Sequence, residues 1–145
     1  MSFQFPLATV LRYRESIEQR EYFALEKIQQ EIVQVELKIS QAEDDRSAAA
    51  KSRAGDLAQG THAIAIQSAY EYEKALDQEV ERLRVEWREL KIKWRQQLAS
   101  YELARRNRET LEKLREKQLN VYTQEQTKRE QAAIDDLFLA RRSRN

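Results

Sequence analysis

Residues 76–111, LDQEVERLRVEWRELKIKWRQQLASYELARRNRETL, decide the fold. Within them Leu76, Val80, Leu83, Trp87, Leu90, Trp94, Gln97, Tyr101, Ala104, Arg108 and Leu111 recur in alternating steps of four and three. That period belongs to a helix whose apolar seam faces another helix. The stretch holds neither Gly nor Pro, and between the seam positions Glu, Gln, Arg and Lys predominate. These side chains favour helix and water together, so the seam is the only stripe that needs cover.

The partner lies upstream. Leu25, Ile28, Ile32, Val35, Ile39 and Ala42 repeat the alternation of three and four, and Ile17 and Ala24 extend it toward the start of the chain. Arg14, Glu18 and Glu21 dilute the apolar face there. Pro6 suits a helix start, because its missing N–H has no intrahelical acceptor in the first turn. Phe3 and Phe5 beside it read either as a cap folded back on the helix or as an apolar docking tip.

Both glycines fall in 51–62, KSRAGDLAQGTH, and Gly weakens helix continuation, so the chain is expected to reverse between Gly55 and Gly60. Thr61 is placed to cap the following helix, and the lone His62 reads as a loop or first-turn residue. The expectation is an all-α fold, a long antiparallel two-helix coiled-coil hairpin with a C-terminal helical overhang. One domain spans 1–145, with helix one at about 5–50, the turn at about 51–61 and helix two at about 62–141. Folding at position 57 or 58 sets Leu25 near Leu90, Ile28 near Trp87, Ile32 near Leu83, Val35 near Val80 and Ile39 near Ala75 or Leu76. Leu7 then falls near Arg108, and helix two has no intrachain partner beyond about Leu111.

Composition supports this reading and narrows the function. Charged residues make up 35% of 145, with two Gly and one Pro, a mix that buries a seam and not a large core. The formal net charge of +1 gives no bulk attraction to nucleic acid, although the C-terminal arm is the more basic end. Arg141, Arg142 and Arg144 suit the negative end of a helix dipole. The absence of Cys excludes disulfides and is compatible with a reducing cytosol. Neither a membrane span nor a secretory signal is expected.

No glycine-rich phosphate loop, zinc-protease helix or Cys-based metal motif occurs, and a two-helix seam encloses no deep pocket. An enzyme, a cofactor and a metal site are therefore not expected. Trp87 and Trp94, one heptad apart, read first as a rim to the seam and second as an aromatic hot spot for a partner.

The two end segments, FQFPLATVL at Phe3 to Leu11 and LEKLREKQLNVYTQEQTKREQAAIDDL at Leu111 to Leu137, resemble the FliJ family of the bacterial flagellar export apparatus. In the second segment Glu130, Gln131, Asp135 and Asp136 occupy the family's closing E-Q-x-x-x-D-E-like positions, with Asp136 where Glu is frequent. The resemblance implies a non-enzymatic, stalk-like coiled coil that binds the hexameric flagellar export ATPase, promotes its assembly or coupling, and links it to the export gate membrane protein. It implies contacts with export chaperones too, and a cytoplasmic location peripheral to the inner membrane at the flagellar basal body, in the service of motility and chemotaxis. An escort for export chaperones, or the equivalent stalk of a virulence type III secretion system, is the alternative. The matched positions make Phe3, Phe5, Leu7, Val10, Leu11, Glu112, Leu114, Tyr122, Gln131 and Asp135 candidate partner-binding residues.

Overall fold

A computed structural model describes residues 2–60 and 62–144. Among them the chain forms two helices, α1 at Ala8–Gln59 and α2 at Ala63–Arg144, and no strand. They pair as a helical hairpin and pack in two units: Met1–Glu21 with Tyr101–Asn145, and Tyr22–Ser100.

Backbone chemistry sets the helix ends. The Phe5 carbonyl accepts the Ala8 N–H at 3.1 Å and the Leu7 carbonyl accepts that of Leu11 at 2.9 Å, so the first turn closes just after Pro6. At the other end of α1, Gly60 adopts φ 74°. This left-handed conformation stops a helix and costs any residue with a Cβ. The Gly60 N–H donates to the Leu57 carbonyl at 3.3 Å. His62 then precedes α2, its carbonyl accepting the N–H groups of Ala65 and Ile66 at 3.1 and 3.2 Å. Thr61, the expected cap, lies outside the described residues. The last turn of α2 carries Arg141, Arg142 and Arg144, opposite in sign to the dipole end they meet.

The turn departs from expectation. Instead of unwinding over 51–61, α1 runs nine residues past Ala50 and passes through Gly55, with the reversal confined to residues just after Gln59. A helical Gly costs about 1 kcal/mol relative to Ala. Cross-helix contacts in the turns just before Gly55 offset that cost. Arg53 donates to Glu73 at 2.6 Å and to the Tyr70 hydroxyl at 2.8 Å, its guanidinium lying 4.3 Å from the Tyr70 ring centroid. One heptad earlier, Arg46 pairs with Asp77.

In the Tyr22–Ser100 unit the core is a row of seam residues. Ile32, Val35 and Leu90 form one buried cluster, with Ile28, Ile39, Trp87 and Trp94 packed on it. Ala42, Val80 and Leu83 form the next, joined to the first through Ile39. Ile32 is 1% exposed and Leu83 2%. Every residue of the 76–111 seam is buried or half-buried, as are Leu25 to Ala42 at their seam positions.

The partners across the seam differ from those expected. Leu90 meets Ile32 instead of Leu25, Ile39 sits with Val80 and Leu83 instead of Leu76, and Arg108 meets Glu18 instead of Leu7. The true register is two to three helical turns away from the expected one. Because seam residues recur at steps of three and four, a slip of that size puts stripe on stripe again, and the apolar stripes alone do not separate the two.

In the other unit, Phe5 and Leu11 are each 7% exposed and Ala104 5%. Phe3 packs its ring on Tyr122 at 5.6 Å between centroids. The overhang therefore begins later than Leu111: Leu111, Gln118, Tyr122 and Gln126 remain half-buried, and α2 is fully exposed only from Thr127 to Arg144.

Candidate partner-binding site

The candidate residues near the two ends separate into those that hold the hairpin and those that face outward. Phe5 and Leu11 are buried, and Phe3 and Tyr122 are half-buried against each other. The fold-back reading of Phe3 and Phe5 thus describes their geometry, because two rings and a Leu close the apolar end of the seam. Leu7 and Val10 lie exposed at 37% and 41%, and Leu114 at 37%. Glu112 accepts from Arg108 at 2.6 Å on the surface, and Gln131 donates to Asp135 at 3.1 Å one turn on. The structure brings Phe3 and Tyr122 together; Gln131 and Asp135 stand further along, on the overhang.

Two features near these residues are not among the candidate partner-binding residues. One is an apolar groove on the overhang lined by Ile134, Leu137, Phe138 and Arg141, whose spacing of three, four and seven from Ile134 is legible in the sequence. The other is a polar pair inside the seam. Arg108 donates to both oxygens of Glu18 at 2.5 and 3.2 Å, with only 21% and 18% of the two side chains exposed. Donation to the Glu18 carboxylate holds the Arg108 pKa above the usual guanidinium range, against the opposing effect of burial. Glu18 and Arg108 each mark a break in their own apolar stripe, but nothing in a single sequence says that the two breaks coincide.

In the Tyr22–Ser100 unit the half-buried Trp87 donates its indole N–H to Glu36 at 3.0 Å. Lys91 sits over both indoles, 5.2 Å from the Trp87 centroid and 5.8 Å from that of Trp94. Both tryptophans therefore rim the seam and line its outer surface at once.

Among the described residues no group of His, Cys, Asp or Glu is arranged to hold a metal ion. No helix there is long and apolar enough to cross a membrane. Among the described residues the fold defines a class: a helical hairpin in which α2 continues past α1. The sequence profile described as Flagellar FliJ protein matches residues 3–145, and the chain belongs to that family. No curated protein and no solved structure matches the chain. Membership makes it a non-enzymatic, coiled-coil component of the flagellar protein export apparatus.

Proposed function

We propose that the chain acts as a stalk for the hexameric flagellar export ATPase, promoting ring assembly or coupling and linking the ring to the export gate membrane protein. The observation that carries this reading is the family match over 3–145 on a hairpin whose α2 continues, fully exposed, beyond its intrachain partner. An exposed arm of this kind needs a partner to cover Ile134, Leu137 and Phe138, which are 59%, 67% and 64% exposed.

On this reading the candidate residues divide their work. Phe3, Phe5, Leu11 and Tyr122 fix the base of the arm, while Leu7, Val10, Glu112, Leu114, Gln131 and Asp135 meet partners. The chain supplies no catalytic group; it changes hydrolysis through the ATPase's own sites by contacting one ring state more favourably than another. Contacts with export chaperones use the same exposed surface at other times, and the protein works in the cytoplasm at the inner face of the basal body.

The test is a titration of the chain into the purified cognate ATPase, with hydrolysis and ring assembly followed in the same samples. Saturable stimulation together with a larger ring population is the expected result. An active ATPase indifferent to the chain on both counts would overturn the stalk reading and leave an escort for export chaperones.

A further inference from the structure

One face of α2 within Tyr22–Ser100 carries a charge pattern that the stalk reading does not use. Arg84, Arg88, Lys91 and Arg95 follow one another at steps of four, three and four, a continuous row along the helix. On one side of this row stand Trp87 and Trp94, a heptad apart; on the other stand Val85 and Ile92, also a heptad apart, 43% and 55% exposed. Two grooves cover the face. The first, of about 450 Å³, is lined by Glu36, Ile39, Arg84, Trp87 and Arg88. The second, of about 460 Å³, shares Trp87 and Arg88 and continues to Ile92, Trp94 and Arg95.

Three physical points select the occupant. Apolar rows repeating every seven residues on both sides match a helix, whose own side chains return to one face at that interval. A purely apolar helix laid there would desolvate the cations without compensation, which is costly, so the covering helix must bring carboxylates to the middle of its apolar face. Finally, the formal net charge of +1 gives no bulk attraction to nucleic acid, so the row favours a partner that brings its own carboxylates. Two cations of the row already pair with carboxylates, Arg84 with Glu43 and Arg88 with Glu81 at 2.6 and 3.1 Å, but all four side chains are roughly half exposed, and Glu36 in the first groove is held by the Trp87 indole. Exposed pairs of this kind contribute little and are readily replaced.

We propose that this face docks an acidic amphipathic helix of a partner protein, whose carboxylates meet Arg88, Lys91 and Arg95 while its apolar side chains settle against Trp87, Trp94 and Ile92. The two tryptophans of the chain both belong to the face, so their intrinsic fluorescence reports its occupancy directly.

The experiment titrates the full chain with a synthetic helical peptide of ~20 residues, Leu along one face and Glu set among them, free of aromatic residues. Its twin with Lys in place of Glu and an oligouridylate RNA are titrated in parallel. The Glu peptide is expected to shift the tryptophan emission saturably, with half-saturation at roughly tens of micromolar. Lys91→Glu with Arg95→Glu is expected to weaken it about tenfold or more while circular dichroism stays that of the parent. If that double variant loses helicity, Arg88→Gln with Arg95→Gln takes its place and is expected to weaken binding in the same direction. Equal binding of the Lys twin, no saturable shift with the Glu peptide, unaltered affinity in the variants, or tighter binding of the RNA would each overturn the proposal.

Discussion

Arg108 and Glu18 occupy positions where the period of the seam asks for apolar side chains. A cation there is tolerable only opposite a carboxylate, and in the expected register it would have faced Leu7. The observed register instead gives it both Glu18 oxygens and, on its outer edge, Glu112 at 2.6 Å. The pair therefore discriminates between registers that the apolar stripes alone leave equivalent. Arg108→Ala strands Glu18 in the seam and is expected to lower stability by about 2 kcal/mol, less than for a fully buried pair because both groups keep some water. Glu18→Leu with Arg108→Leu, which removes both charges, is expected within about 1 kcal/mol of the parent or above it. Equilibrium urea unfolding of the two variants checks this, and a double variant weaker than Arg108→Ala would contradict it. Because the folded-state pKa of Arg108 is raised, its contribution is complete while arginine of the unfolded chain is charged. It is lost only as pH rises through the still higher folded value.

At the scale of the element, the two glycines separate what composition reveals from what it hides. Both are turn signals in the sequence, yet only Gly60 turns; Gly55 is helical and an added Cβ there would meet nothing within 4 Å. Gly55→Ala is accordingly expected to raise stability by about 0.5–1 kcal/mol, since it gains helix propensity and restricts the unfolded chain. Gly60→Ala is expected to lower it by about 1 kcal/mol or more, although space is open there as well, because φ 74° strains an L side chain. Thermal unfolding of the two single variants, side by side, should move in opposite directions; movement in the same direction would place the reversal elsewhere. The helix ends were legible where backbone chemistry is local, as at Pro6. They were not legible where nine further residues of α1 depend on Arg53 and Arg46 finding Glu73, Tyr70 and Asp77 on the other helix.

For the whole molecule, the exposed end of α2 is the part whose removal the fold tolerates. From Thr127 to Arg144 no described side chain is even half-buried, so a chain ending at Gln126 is expected to keep its hairpin, with a urea midpoint close to that of the parent. On the proposed stalk function, the same truncated chain is expected not to stimulate the export ATPase. Retained stimulation would move the ATPase contact onto Leu7, Val10 and Leu114, and a large fall in the midpoint would mean that the overhang packs on the hairpin after all. The candidate residues were only partly legible for a related reason. A shared pattern at Phe3 to Leu11 does not distinguish Phe5, turned inward to close the seam, from Val10, left facing water.

The sequence by itself determined that the protein is a helical hairpin with a C-terminal extension, because a seven-residue apolar repeat and its neighbours' helix propensity act locally and repeat along the chain. Membership of its family was written there too, in the patterns at its two ends. Only the tertiary structure decided which residue of α1 faces which residue of α2, where the extension begins, and which end residues remain free. The physical reason is the same for all three. A seam that recurs at steps of three and four meets its partner stripe again after a slip of two to three turns, so the register had to be chosen by features that meet only in the folded chain: Gly60 in its left-handed turn, Arg108 against Glu18, and Phe3 against Tyr122.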